Sequence, residues 1–407
     1  MPADSSVSGG HLDYYIEHAI SPVHYDTSDF QAHIDRRDAL YRSIGLPPVA
    51  FKGAHVLEVA PGSGQNSLYP ATCLPASLTL VEPNPHGRKD IVASYEGLER
   101  AHTAPVLVPQ TLQEFEPKRP FDVVICENWL GSLPSEVALI QKLASMVAPG
   151  GVMVLTIVPA AGFFPNVMRK LLAMRLVNAD DDFERKTAIL IDVFGPHLAT
   201  MASMGRSHRD WVHDCMINPH YLNVGLPLRT VLEAVGSELE ALSTFPRFAN
   251  DWRWFKALTG TNRQFSERLL AAESANVATF IDYRRTFPET EPGDVAALQA
   301  HFAHIHALSL KWQVAFEADD FERIELHSNA ISDHLVEIQA GLSQIDPELG
   351  AAVAELRDVW DRPVLGPDDV RQMPKFGALF GRETVYLSLT RPLGSHAIAA
   401  GAPDSGA

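Results

Sequence analysis

The chain has 407 residues, more than one ordinary domain needs, so a core domain with a substantial insertion or second unit is expected. Acidic residues outnumber basic ones by 50 to 33, a formal charge of −17 that disfavours a nucleic-acid backbone as partner. Cys73, Cys126 and Cys215 lack metal-type spacing, Met1–Gly10 lacks a basic and apolar leader, and the most apolar window, 147–165, is broken by Pro149, Gly150, Gly151, Pro159 and Pro165. These features exclude a disulfide framework and a membrane span, and point to the cytoplasm.

In chain order, residues 11–46 read as helical and stop at Gly45-Leu46-Pro47-Pro48. From Lys52 short apolar runs alternate with helical segments, as in a parallel α/β sheet. The runs are His55–Ala60, Leu78–Glu82, Pro105–Val108, Phe121–Cys126 and Gly151–Val158, with an amphipathic helix expected over Glu136–Ala148. Helices are expected over Phe164–Leu176, Phe183–Val193 and Pro227–Val235, and a strand over Leu239–Phe245. Residues 252–372 carry helical spacing and almost no strand signal. The alternating Thr384–Thr390 then returns as a lone strand, so the helical block reads as an insertion into one sheet.

The most informative segment is His55-Val-Leu-Glu58-Val-Ala-Pro-Gly62-Ser-Gly64-Gln-Asn66, an apolar strand entering a turn with two glycines. Such a turn lets a ligand approach the backbone and the N–H groups beyond it. A dinucleotide fingerprint would need a third glycine where Ser67 stands. Glu58 would repel a pyrophosphate but attract a cation, which favours a sulfonium donor over a nicotinamide dinucleotide. Glu82, ending the second run, suits two ribose hydroxyls, a feature common to both ligand types.

Glu-Val-Ala-Pro-Gly-Ser-Gly at 58–64, Val-Glu-Pro-Asn at 81–84, Phe-Asp-Val-Val-Ile-Cys-Glu-Asn at 121–128 and Val-Ala-Pro-Gly-Gly-Val-Met-Val-Leu at 147–155 resemble, in order, the motifs of class I S-adenosylmethionine-dependent methyltransferases. Ala60 departs from the family pattern, standing where its first glycine belongs. The resemblance implies an α/β fold: a doubly wound, seven-stranded, mostly parallel sheet with an N-terminal helical cap and a large helical insertion before the last strand. The divisions are a cap at 1–50, a core with an acceptor lid at 51–251, the insertion at 252–375, and the final strand with a flexible tail at 376–407. It further implies that Glu58, Ala60, Gly62 and Gly64, with Asn66 beside them, hold the methionine end of S-adenosylmethionine. Glu82, Pro83 and Asn84 would take the ribose, and Gln110, Thr111 and Leu112 the adenine. Glu127, Asn128 and Trp129 would line the mouth between donor and acceptor.

Methyl transfer from a sulfonium is in-line displacement on an activated carbon, so alignment matters most and a base only if the acceptor is protonated. Within Ser207–Tyr221, His213 and Asp210 would share a helical face, which makes His213 the candidate base and His208, Asp214 and His220 candidate acceptor contacts. The N-terminal block adds Tyr14, His24, Tyr25, Arg36 and Arg37. His301, His304, His306, His327 and His334 lack acid and cysteine partners and read as a polar helix face, so no metal is expected. The aromatic and basic Asp251–Lys256 reads as a packing hinge. The expected function is methylation of a small-molecule O or N nucleophile, with no nucleic-acid or membrane partner and homodimerisation left open. Alternatives are a protein or peptide methyltransferase docking through the insertion, a non-catalytic binding protein, and a nicotinamide-dependent oxidoreductase.

Overall fold

The apolar runs become strands β1 (His55–Val59), β2 (Ser77–Val81), β3 (Pro105–Val108), β4 (Phe121–Cys126), β5 (Val147–Ile157), β6 (Glu240–Phe245) and β7 (Val385–Thr390) in a computed structural model. The structure describes residues 10–21, 27, 29–131, 133–202, 204–290 and 292–393. Tyr25, His24 and the tail from Gly394 lie outside the described residues. The strands form one sheet in the order β3-β2-β1-β4-β5-β7-β6. The first five pair in parallel, and β7 runs antiparallel to both β5 and β6. Val56 to Val59 of β1 are all buried, as in a strand covered on both faces.

Chain order reverses between β1 and β4, and in an open α/β sheet the crevice for ligands lies there, beyond the carboxyl ends of the strands. The antiparallel return of β7 adds to that crevice. Val385 pairs with Ile157 at the end of β5, so residues 383 and 384 arrive beside the carboxyl ends of β4 and β5.

One sheet face is packed by Ile34 and Tyr41 of helix Phe30–Ser43, by Leu68 and Tyr69, and by Ile91 and Tyr95 of helix Pro85–Glu96. The other is packed by helices Pro134–Ser145, Ala160–Leu176 and Leu228–Val235. The single helical reading of 11–46 divides into Gly10–Glu17 and Phe30–Ser43. Among its described residues the block 252–375 is helical, with helices Phe265–Ala275, Pro292–Glu317, Phe321–Ile345 and Pro347–Trp360 as its longest. It shares a hydrophobic core with the sheet, Phe302 meeting Phe164 edge-on at 5.2 Å.

Helix Ala160–Leu176, caught between sheet and insertion, buries even the basic Arg169 and Lys170. Lys170 Nζ donates to the carbonyls of Met216 (2.7 Å) and Asn218 (3.0 Å). Arg169 donates to those of Phe376, Gly377 and Leu379 at 3.1, 3.1 and 2.9 Å. Two adjacent side chains thereby tie the 212–218 turn and the segment leading into β7 to one helix.

Candidate active site

A cavity of about 610 Å³ opens at the carboxyl ends of the parallel strands, within the size range of small-molecule sites. On its β1–β2 side the chain leaves β1 through Ala60 at φ +54°, Gly62 at +59° and Gly64 at +75°. Asn128, which follows β4, is also left-handed at φ +55°, its N–H donating to Thr156 Oγ1 at 2.7 Å. Two non-glycine residues in this costly region therefore stand at the ends of adjacent strands, where ligand sites concentrate backbone strain. Ala60→Gly is expected to raise stability by up to about 1 kcal/mol, the relief of strain exceeding the extra entropy lost by glycine. Thermal melting checks this; a lower melting temperature would mean the turn holds Ala60 without strain.

Glu82 fastens the turn. Its Oε2 accepts the Gly62 N–H at 3.0 Å and its Oε1 the Asn84 N–H at 2.8 Å. Burial pushes its carboxyl up to about 7 in spite of these two bonds. Asn84 also accepts the His86 N–H at 3.0 Å, capping the next helix. Glu58 is only 3% exposed, and its Oε2 has no hydrogen-bond partner among the described residues. Burial, then the neighbouring Glu127, push its carboxyl up to about 8. A buried carboxyl group on a cavity wall without a partner fits a cationic ligand, because a positive charge there would offset the desolvation that raises it.

Glu127, at the end of β4, is held from the side of helix Phe30–Ser43. Arg37 Nη2 lies 2.6 Å from its Oε1 and 2.9 Å from its Oε2, and the Tyr41 hydroxyl donates to Oε1 at 2.9 Å. Toward β4 and β5 the wall changes character. His11, Leu12 and Tyr15 come from helix Gly10–Glu17, Arg206, Asp214, Cys215 and Tyr221 from the 206–224 segment, and Glu383 from the approach to β7. Asp214 binds Arg206 Nη2 at 2.7 Å and the Tyr15 hydroxyl at 2.8 Å. Burial acts to raise its carboxyl, but these partners hold it below the ordinary carboxylate range. Glu383 Oε2 accepts from Asn166 Nδ2 at 2.6 Å and from the Tyr221 hydroxyl at 3.2 Å, while burial pushes the group up.

Glu58, Ala60, Gly62, Asn66, Glu82, Pro83, Asn84, Thr111, Leu112, Glu127, Asn128, Trp129 and Asp214 all lie on this wall. Several expected residues do not. Gly64 faces Ile91, whose Cγ1 would stand 2.5 Å from a Cβ there, so helix packing and its φ of +75° together require this glycine. Gln110 is exposed, because buried Leu112 anchors the following turn and presents 111–114 instead. Arg36 is exposed, one helical step of about 100° from inward-facing Arg37. Tyr14 donates to the His213 carbonyl at 3.0 Å and leaves the wall to Tyr15.

His213 is likewise removed from the cavity wall, its Nε2 3.1 Å from Thr187 Oγ1 and its ring against Phe183. Asp210 bonds Ser207 and does not orient it. The 212–217 stretch forms a π-helix, so the regular helical spacing assumed for the pair is lost. His208 is exposed, and His220 lies behind His11 with ring centroids 5.3 Å apart. The sequence reading passed over His11, Tyr15, Arg206, Tyr221 and Glu383. The visible signal for Glu383 was an acid directly before the returning strand. Among the described residues no group of three or more His, Cys, Asp or Glu is placed to hold a metal, and no helix is long and apolar enough to cross a membrane.

Residues 32–197 match the family model of a methyltransferase domain. No curated protein matches the sequence. Similar solved structures include the N-methyltransferase NodS from Bradyrhizobium japonicum with S-adenosyl-L-homocysteine, at 17% identity over 31% of this chain and 62% of that one, TM-score 0.26. They also include magnesium protoporphyrin IX methyltransferase from Synechocystis, at 18% over 39% and 79%, TM-score 0.30. An amino pentose methyltransferase from Micromonospora echinaspora follows at 22% over 31% and 49%, TM-score 0.24. The chain thus spans less than two thirds of the first and third of these proteins. Scores this low carry no argument about mechanism. The domain match, the strand order and the glycine turn with its acids agree on one class. Residues 32–197 carry a methyltransferase domain, set in a seven-stranded open α/β sheet.

Proposed function

We propose that the protein transfers a methyl group from S-adenosylmethionine to an O or N nucleophile of a small molecule. The observation that carries this reading is one cavity with two unlike ends. The β1–β2 end bears the glycine turn, an unpartnered Glu58 and a backbone-clamped Glu82; the β4–β5 end bears a separate set of polar and aromatic side chains. Glu58, with Ala60, Gly62 and Asn66, would hold the methionine end of the donor. Glu82, Pro83 and Asn84 would hold the ribose, and Thr111 and Leu112 the adenine. When bound, the donor supplies a methyl carbon already activated by its sulfonium.

The chain's own work is then to align the acceptor with that carbon and keep water out. None of the described residues from 225 to 382 lines the cavity, so the helical insertion supports the wall from behind: His306 Nε2 lies 2.7 Å from the Leu222 carbonyl, and Gln313 donates to that of Pro219 at 2.7 Å. This favours a small acceptor over a peptide docked along the insertion. Calorimetric titration with S-adenosylhomocysteine tests the reading. Binding by the wild type should weaken about tenfold or more in Glu82→Ala, the loss typical of charge-assisted hydrogen bonds. No binding by the folded wild type, or equal binding by the variant, would refute the donor site.

A further inference from the structure

Four acids stand at the β4–β5 end of the cavity or border it, and their oxygens are not equally engaged. Asp214 has Oδ1 bound by Tyr15 and Oδ2 by Arg206. Glu127 has both oxygens bound by Arg37. Glu58 lies on the donor's side, at the end of β1. Glu383 differs: Oε2 is fixed by Asn166 and Tyr221, whereas Oε1 makes no hydrogen bond to the described residues of the protein. One oxygen is thus held still by two donors, and the other belongs to a residue on the cavity wall.

The wall is rich in carboxyl groups, those of Glu58, Glu82, Glu114, Glu127, Asp214 and Glu383. Arg206 pairs with Asp214 and Arg37 with Glu127, so among the described residues Glu383 is the acid at the β4–β5 end with no ion-pair partner, and a cationic ligand would supply one. From this geometry we propose that the acceptor is an amine, bound as its ammonium ion by Glu383, and that Glu383 Oε1 takes its proton. The inference rests on the methyltransferase reading given above.

An ammonium nitrogen has no lone pair, so it cannot attack until it has lost a proton. Transfer of that proton to Glu383 Oε1 frees the pair. The amine nitrogen then bonds to the methyl carbon while the carbon–sulfur bond breaks, its electron pair staying on sulfur. The products are a methylated ammonium, a neutral thioether and a protonated Glu383, and the total charge is unchanged. Burial raises the Glu383 carboxyl toward the range in which a carboxylate is an effective base. His11, the imidazole on the same wall, is pushed down to about 4 chiefly by its burial, too low to compete for the proton. Asn166 and Tyr221 act as positioning residues that fix the Glu383 carboxylate.

The test uses the full chain saturated with S-adenosylhomocysteine and three probes on one skeleton: 2-phenylethylamine, 2-phenylethanol and phenylacetate. Calorimetry should show the amine bound about tenfold or more tightly than the alcohol, with phenylacetate weakest, as expected for a charge-assisted contact. In E383Q, which preserves the shape and both donors, that preference should vanish while S-adenosylhomocysteine affinity stays within about threefold. Amine binding no tighter than alcohol binding, no binding of the amine, or a preference that survives in E383Q overturns the proposal. Failure of the wild type to bind S-adenosylhomocysteine is seen before any probe is added. It would strike the donor reading first and this proposal with it.

Discussion

Replacing Arg169 with Met is expected to destabilise the protein by about 3–5 kcal/mol, the cost typical of breaking a buried, hydrogen-bonded charge network. Arg169 is fully buried, donates to three carbonyls of the 376–379 segment and to Asn166, and lies 3.8 Å from the Phe380 ring centroid. Burial pulls its guanidinium down to about 9, which leaves it charged at neutral pH. Methionine roughly keeps the volume but supplies no donor, so the carbonyls lose their partners in the interior. Denaturant unfolding measures the loss. A variant as stable as the wild type would show that water satisfies these carbonyls and that the arginine is dispensable. At temperatures where the variant stays folded, S-adenosylhomocysteine affinity should be preserved, because the damage falls on the approach to Glu383 and β7.

The sheet was legible because its central strands are buried on both faces. Runs such as His55–Val59 and Phe121–Cys126 have to be apolar nearly throughout, and they stand out against polar turns. The donor side was legible for a related reason: the turn after β1 and the acid after β2 act within a few residues of their strands, so local sequence carries their geometry. Gly64 shows the limit of that logic. The motif contains it, but only the position of Ile91 reveals that helix packing, besides its left-handed backbone, requires it.

The acceptor side is assembled from residues far apart in sequence, and no local pattern marks it. Glu383 meets Asn166 and Tyr221 across separations of 217 and 162 residues, which only the return of β7 explains. Helix register was also beyond the sequence. Which of Arg36 and Arg37 turns inward, and whether Tyr14 or Tyr15 reaches the cavity, depends on a rotation of one residue that the flanking pattern does not fix. His213 lies off the wall because the chain forms a π-helix where regular helical spacing would set it beside Asp210.

Between pH 6.5 and 8 the ligand-free protein is expected to lose about 2–3 kcal/mol of stability, with Glu58 the main contributor and Glu82 and Glu273, which burial also pushes up to about 7, next. Folding raises the Glu58 carboxyl from near 4.5 to about 8 and that of Glu82 to about 7, chiefly through burial. Such groups bind more protons in the folded state, so their contribution is complete below about 4.5 and is lost as pH rises through the folded values. Buried histidines act in the opposite sense at lower pH. His11 is pushed down to about 4 and His197 to about 3 by burial, so stability rises with pH until the ordinary histidine value near 6.5. The window in which the carboxyl groups dominate therefore opens at about 6.5, and Lys170, pulled down to about 8 by burial, opposes them weakly at its upper end. A cationic donor beside Glu58 would favour its ionised form. Saturating S-adenosylmethionine should therefore flatten the decline, and its affinity should strengthen by up to about tenfold per pH unit as one proton is released on binding. Melting curves across the window, and titrations in buffers of different ionisation enthalpy, measure the two effects. Glu58→Gln should abolish the largest share of the decline and most of the proton release. If that variant kept the full decline and the proton release, Glu58 would not be the group that couples the donor's charge to the protein.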